Sequence, residues 1–144
     1  MKKCKDIMTK DLVTVSSEST VADVARLMKT EDIGPVLIVD NEQNNTLVGI
    51  VTDRDIVVKV IADGQDVNTT RVGDVMSKKL VTCHADDDVE VAMKAMAQFQ
   101  LRRIPVVEEN MRLVGIISQA DLATRVDAPE KTGEVVKEIS EETT

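Results

Sequence analysis

Aromatic side chains are almost missing from this chain. Phe99 is the single aromatic among 144 residues, with no Trp and no Tyr. Platforms for stacking bases are therefore absent, which argues against single-stranded nucleic acid as a ligand. Positive charge is also short: 18 Lys and Arg stand against 26 Asp and Glu, a net charge of −8. That balance argues against duplex DNA and anionic membranes as partners. Histidine is limited to His84, which has no partner constellation for nucleophilic catalysis, so no enzyme activity and no catalytic residue are expected. Cys83, His84 and Asp86 make a weak metal set, because adjacent residues on an extended segment face opposite ways; no metal is expected. Two cysteines, Cys4 and Cys83, do not make a disulfide framework and read as ordinary intracellular thiols. With no signal peptide and no apolar run of about 18 residues, a soluble cytoplasmic protein is expected.

What is present is a duplication. Asp6-Ile7-Met8-Thr9 returns as Asp74-Val75-Met76-Ser77, and Leu12-Val13-Thr14 as Leu80-Val81-Thr82, each 68 residues later. Ile38-Val39-Asp40 matches Val106-Val107-Glu108 at the same spacing, whereas Leu47-Val48-Gly49-Ile50 matches Leu113-Val114-Gly115-Ile116 at 66. The first copy thus has two more residues around Asn41–Thr46, a place where a turn absorbs length without reversing the faces of a strand. The predicted organisation is a first repeat over 5–64, a polar linker over 65–72, a second repeat over 73–127 and an acidic tail over 128–144. The tail has a weak apolar stripe of Val135, Val136 and Ile139; it reads as a surface helix, or as one that docks on a partner subunit or over a cleft.

Each repeat reads as β-α-β-β-α. In the first, a turn or helical start over 5–9 precedes a strand at 12–15 and a helix begun by Thr20. Asp23 sits at the third position of a capping-box pattern, and Val21, Val24, Ala25 and Met28 form one apolar face. Continuous apolar runs at 36–40 and 47–52 suggest strands covered on both faces. Ile56, Val57, Val60 and Ile61 then suggest a helix that stops at Gly64. The second repeat predicts strands at 80–83, 104–108 and 113–118 and helices at 88–99 and 119–127, the first with an apolar face of Val89, Ala92, Met93 and Met96. A unit of about 55 residues is too small to bury its sheet alone, so the expected fold is α/β (α+β): two such repeats packed with pseudo-two-fold symmetry, small mixed sheets flanked by helices.

The chemistry concentrates where the last strand of each repeat runs into its last helix. Gly49-Ile50-Val51-Thr52-Asp53-Arg54-Asp55 is echoed by Gly115-Ile116-Ile117-Ser118-Gln119-Ala120-Asp121. Unpaired N–H groups at the helix start favour an anion such as phosphate, and Thr52 or Ser118 can add a hydroxyl donor. Asp55 or Asp121 suits the paired hydroxyls of a sugar. Arg54, and Arg102 with Arg103, offer further positive charge. A nucleotide pocket is one reading of this set; plain helix caps and first-turn carboxylates are the other.

Taken together with Arg102-Arg103-Ile104-Pro105-Val106-Val107 and the two Asp-x-Met segments, these motifs resemble a tandem pair of CBS domains, also called a Bateman module, over residues 5–127. The chain is most similar to small stand-alone bacterial CBS-pair proteins. The resemblance implies an adenine-containing ligand (AMP, ADP, ATP or S-adenosylmethionine) held in clefts between the repeats. It implies that the hydroxyl position contacts phosphate and the Asp holds the ribose. It also implies crosswise pockets: Thr9, Val13, Ile33 and Gly34 joining Ser118 and Asp121, and Val81, Leu101 and Arg102 joining Thr52, Arg54 and Asp55. Gly34-Pro35 stands where the second repeat has Arg102-Arg103, and Gln119-Ala120 where the first has Asp53-Arg54, so the two pockets are not equivalent. The first looks better equipped for extra phosphate, the second for a ribose monophosphate. A homodimer, an energy-sensing regulatory role and an unidentified effector protein follow from the same resemblance. The alternative is a ligand-free dimeric interaction or stress-associated scaffold protein.

Overall fold

The computed structural model describes residues 2–125. The acidic tail and the last two residues of the helix expected at 119–127 lie outside the described residues. In chain order the elements are α1 (Cys4–Ile7), β1 (Thr14–Ser16), α2 (Val21–Glu31), β2 (Val36–Val39), β3 (Leu47–Val51) and α3 (Asp53–Asp55), which runs into a π-helical segment (Ile56–Ile61). A 3-10 turn (Val72–Asp74), β4 (Cys83–His84), α4 (Val89–Phe99), β5 (Arg103–Glu108), a second 3-10 turn (Glu109–Met111), β6 (Arg112–Ser118) and α5 (Gln119–Arg125) follow.

These elements form two units that cut across the order of the repeats. A continuous unit comprises Val13–Leu80; a split unit joins residues 2–12 to residues 81–125. Each contains a mixed three-stranded sheet, β1-β2-β3 in one and β4-β5-β6 in the other. The first pair of strands is parallel and the second antiparallel in both: Val15 is opposite Ile38 and Ile38 opposite Gly49, as Cys83 is opposite Val106 and Val106 opposite Gly115. Even the irregularity repeats: the register shifts between Ile38 and Val39 and again between Val106 and Val107. The two extra residues of the first copy are taken up in the β2–β3 loop, where Asp40 Oδ1 accepts the backbone N–H groups of Asn41 and Thr46 at 2.7 and 3.0 Å.

The continuous unit buries Val21, Val24 and Met28 of α2 against Val36, Ile38 and Val51 of the sheet and against Ile56, Val60, Val72 and Val75. Thr20 caps α2 by accepting the Asp23 N–H at 3.2 Å. The Asp23 carboxylate pairs with Arg26 at 2.7 Å. Ala25, expected on the buried face, is exposed, and Ala22 is buried in its stead. The cause is the segment read as a linker. Residues 65–72 fold over the start of α2: the N–H groups of Val21 and Ala22 donate to Thr70 and Val67 carbonyls, each at 2.9 Å. Those donors have no partner inside a helix, so the segment satisfies them and covers Ala22. The segment 56–61 is helical as the period suggested, but it is wound wider. Ala62 and Gln65 N–H groups donate five residues back, to Val57 and Val60, at 2.9 Å. That winding buries Ile56 and Val60 and leaves Val57 and Ile61 exposed. Strand β2 is buried along its whole length, whereas β3 alternates, with Val48 and Ile50 only half-buried. The expectation of two fully covered strands therefore holds for β2 alone.

In the split unit α4 buries the expected Val89, Ala92, Met93 and Met96 over β5 and β6. Segment 2–12 is part of this core through Cys4 and Ile7. Thr9 and Ile116 exchange backbone hydrogen bonds at 2.8 and 3.0 Å, adding a short bridge to the free side of β6. Ser77 and Ile50 do the same for β3 in the continuous unit, at 2.8 and 3.0 Å.

Both bridges depend on a glycine. A Cβ on Gly115 would lie 2.4 Å from Met8 Sδ and 3.0 Å from its Cβ; one on Gly49 would lie 2.3 Å from Met76 Sδ. The bare Cα lets the methionine cross the strand, and the residue after the methionine then reaches the bridge. Gly115→Ala should destabilise the chain by roughly 1–3 kcal/mol through overpacking. Met8→Ala removes the obstructing side chain, so the double variant should lose less stability than the two single losses added together. Chemical denaturation followed by circular dichroism measures both; strict additivity would show that Met8 is not the obstruction.

Candidate functional site

The two strand–helix junctions are built alike and partnered differently. In the continuous unit Thr52 follows β3 and caps α3. Its Oγ1 accepts the Asp55 N–H at 3.2 Å, while Asp55 Oδ2 accepts the Thr52 N–H at 2.9 Å. This reciprocal pair satisfies two orphan donors of the helix start. It leaves the Thr52 hydroxyl hydrogen to be given elsewhere. Asp55 Oδ1 is met by Lys59 Nζ at 3.4 Å, and the Asp55 side chain keeps a fifth of its surface exposed. Arg54 is exposed, its N–H donating to Asp53 Oδ1 at 3.0 Å. Gly34 sits close to that carboxylate: a Cβ there would be 3.4 Å from Asp53 Oδ1. Ile33 is half-buried against the core of the same unit, which also contains Val13.

In the split unit the junction closes on itself. Ser118 Oγ accepts the Asp121 N–H at 3.2 Å and donates to Asp121 Oδ2 at 3.1 Å, and the Ser118 N–H donates to the same oxygen at 2.9 Å. Thr9 Oγ1 donates to Asp121 Oδ1 at 3.1 Å. Arg125 stands 3.7 Å from that oxygen. Asp121 is 7% exposed, the one buried charged residue among those described. Leu101 and Val81 pack at the edge of this unit's core, and the Arg102 carbonyl accepts the Gln119 N–H at 3.1 Å. Gln119 Nε2 is buried with no hydrogen-bond partner among the described residues.

Of the residues singled out from the sequence, the split unit thus contains Thr9, Val81, Leu101, Arg102, Ser118 and Asp121, and the continuous unit contains Val13, Ile33, Gly34, Thr52, Arg54 and Asp55. Thr9, Ser118 and Asp121 are directly joined by hydrogen bonds, as are Thr52 and Asp55. Sequence reasoning missed Lys59 and Arg125, which occupy matching places four residues after each aspartate. Beyond facing the carboxylate, each ties the Asp-x-Met segment to its helix: Lys59 Nζ donates to the Val75 carbonyl at 3.1 Å, and Arg125 to those of Ile7 and Met8 at 3.0 and 3.2 Å. The signal was available as an acid–base pair at i, i+4 in both copies. Among the described residues no group of three or more His, Cys, Asp or Glu is arranged to hold a metal ion, and His84 Nδ1 is taken up by the Asp86 N–H at 3.1 Å. No described helix is long and apolar enough to cross a membrane.

Known proteins resemble this chain in sequence and fold. The CBS domain profile matches residues 4–62 and again 72–128. The chain is 39% identical over 140 residues to the CBS domain-containing protein YhcV of Bacillus subtilis, covering 97% of this chain and 96% of that one. The crystal structure of Hypoxic Response Protein I with two coordinated zinc ions is similar at a TM-score of 0.77 and 34% identity, covering 88% of this chain and 100% of that one. The CBS domain pair of protein MJ0100, in complex with 5′-methylthioadenosine and S-adenosyl-L-methionine, matches at a TM-score of 0.67 and 28% identity, over 85% of this chain and 94% of that one. With two profile matches on the two repeats and a relative aligned along nearly its full length, the chain belongs to the CBS domain family, as a tandem pair.

Proposed function

We propose that the chain is a non-catalytic regulatory module that binds an adenine-containing small molecule through its two junctions and signals by a change of conformation or packing. The observation that carries this reading is the Thr52–Asp55 junction. There a capping hydroxyl retains a hydrogen to donate, and a carboxylate oxygen faces only Lys59 at 3.4 Å. A phosphate oxygen suits the first group and a ribose hydroxyl the second. Exposed Arg54 adds charge for a ligand with more than one phosphate. The adenosine compounds named with the MJ0100 pair support the ligand class. A nucleotide whose phosphate count reports energy charge (AMP, ADP or ATP) fits the first site, and S-adenosylmethionine is the further candidate. Binding shifts the module's equilibrium only by as much as the ligand's affinity differs between two arrangements, and an effector protein that distinguishes them completes the signal.

The second junction favours a weaker or more selective site, because Asp121 already spends its oxygens on Thr9 and Ser118. A ligand there must displace the Thr9 hydroxyl. Titration calorimetry with AMP, ADP, ATP, S-adenosylmethionine and 5′-methylthioadenosine should therefore show a tighter event lost in Asp55→Ala, with affinity falling at least about tenfold, the size of one charge-assisted hydrogen bond. Asp121→Ala should act first on stability, lowering it by roughly 1–3 kcal/mol as the half-buried Ser118 N–H loses its acceptor. No heat with any of these compounds would remove the ligand-binding reading and leave the ligand-free interaction protein.

That second reading rests on the apolar side chains left on the helices. Val57, Val58 and Ile61 are 55%, 48% and 60% exposed, and Val91 and Phe99 are 47% and 51% exposed. Val57, Val58 and Ile61 share one short helical segment, and exposed aliphatics grouped in this way mark association surfaces; we assign that segment to a homodimer under either reading. Light scattering should return twice the 15.8 kDa of one chain, and Val57→Asp with Ile61→Asp should lower it toward one. A parent mass equal to a single chain would refute the assignment.

A further inference from the structure

Lys59 stands between two acceptors that belong to different parts of the continuous unit. Its half-buried side chain donates to the Val75 carbonyl at 3.1 Å and lies 3.4 Å from Asp55 Oδ1. The first contact is a made hydrogen bond, and the second is an ion pair longer than one. A single ammonium is thus shared between the carboxylate of the junction and the backbone of segment 72–77. The two ends of that segment are held differently. At its start the Val72 and Gly73 N–H groups donate to the Ser19 and Ser17 carbonyls at 2.7 and 3.0 Å. At its end three contacts lie close together: Lys59 on the Val75 carbonyl, Met76 across bare Gly49, and the two bonds between Ser77 and Ile50 at 2.8 and 3.0 Å. Lys78, Lys79 and Leu80 follow, and with Leu80 the chain leaves this unit.

We infer that Lys59 relays the state of Asp55 to segment 72–77, and so carries occupancy of the first junction to the chain that leaves the unit. The inference rests on the reading of that junction as a ligand site. A ligand hydroxyl that donates to Asp55 Oδ1 takes up part of the charge that draws Lys59 toward the carboxylate. The ammonium then gives more of its hydrogen-bonding capacity to the Val75 carbonyl. The end of the segment tightens: Met76 is held on Gly49, and the Ser77–Ile50 bridge opens less often. Lys59 itself touches no ligand atom in this scheme and is a positioning residue. The split unit is built so that the same relay is weak. Arg125 donates to two carbonyls, those of Ile7 and Met8, at 3.0 and 3.2 Å. It stands 3.7 Å from an aspartate, Asp121, that already accepts from Thr9 and Ser118. A ligand at Asp121 therefore changes little of what holds Arg125. The two halves differ in the cation that reads the carboxylate, a shared ammonium in one and a committed guanidinium in the other.

The test follows backbone N–H exchange of Ser77 and Ile50 by NMR in the full chain, with the Val24 N–H of α2 as the reference for global opening. Without ligand, Asp55→Asn removes the competing charge. It should slow exchange of both amides relative to Val24 by about twofold, the size of one i, i+4 ion pair. A change that only loosened the junction would speed it. Lys59→Met should speed exchange by about fivefold, the size of one hydrogen bond, and should abolish the effect of Asp55→Asn made in the same chain. Lys59→Arg should restore slow exchange, since Arg125 reaches the equivalent carbonyl. Saturating AMP, and ATP in a separate sample, should reproduce the slowing in the parent chain and not in Lys59→Met. Unchanged or faster exchange in Asp55→Asn, or slowing that survives Lys59→Met, would overturn the relay. So would a bound nucleotide that leaves both amides unmoved. Absence of nucleotide binding would count against the ligand reading instead, while the ligand-free variants still decide the relay.

Discussion

The contact between a bare Cα and a methionine sulfur organises each half of this molecule. Gly115 accepts Met8 and Gly49 accepts Met76 at separations that a side chain on the glycine would forbid. Everything around the junctions depends on that crossing. Once the methionine lies over the strand, the next residue, Thr9 or Ser77, pairs with Ile116 or Ile50 through two backbone hydrogen bonds. The carbonyl of Ile7 or Val75, just before the methionine, then meets the cation of the last helix, Arg125 or Lys59. A short Asp-x-Met segment is thereby fixed at both ends, although in the split unit the contact joins positions more than a hundred residues apart. Closing so long a loop costs entropy that grows slowly with length, so a few well-made contacts suffice to hold it.

Much of this was legible in the sequence, and what was not has physical causes. The duplication, the strand order within each repeat and the capping of α2 and α3 follow from local chemistry, which a sequence records directly: hydroxyls before apolar periodicity, and a carboxylate in the first turn. The grouping of segment 2–12 with residues beyond 80 did not follow. Motif matching places it in the first repeat, because a repeat boundary in sequence says nothing about which neighbour covers an exposed edge. The same limitation explains residues 65–72. Their polar composition reads as a linker, yet their carbonyls are what the open N–H groups of Val21 and Ala22 require. The error over Ala25 and Ala22 comes from the same source, since periodicity finds the side of a helix that faces its sheet and misses a segment folded over its end.

The candidate site shows the converse. Its residue types were legible and its electrostatic state was not. Thr52–Asp55 and Ser118–Asp121 look interchangeable as motifs. In the structure they differ in how many hydrogen bonds each spends internally, which depends on Thr9 and on the direction in which the Ser118 hydroxyl points. A carboxylate accepts about four hydrogen bonds, and those of Asp121 are largely used within its own unit. An outside ligand must then exchange one good hydrogen bond for another, with little net gain. Asp55, facing Lys59 at 3.4 Å, exchanges less. Two copies of one hydroxyl–aspartate pair therefore differ in how many hydrogen bonds the carboxylate has left to offer.

A duplicated chain also contains its own control. Features kept in both copies are those the shared backbone needs: the glycine under the methionine, the hydroxyl–aspartate cap, and the cation four residues on. Each has a structural reason that would hold if no ligand ever bound, so their repetition alone does not establish a binding site. Features that differ while the backbone stays the same are not demanded by folding. Those are Gly34-Pro35 against Arg102-Arg103, Asp53-Arg54 against Gln119-Ala120, and Val15 with Val72 against Cys83 with Cys4. The first two differences lie beside the junctions and alter charge, hydrogen-bond capacity and bulk where a ligand would be discriminated. The third lies in a core, where two valines already show that aliphatic packing suffices. Selectivity and chemistry in this protein are therefore to be sought at the positions where its two halves disagree.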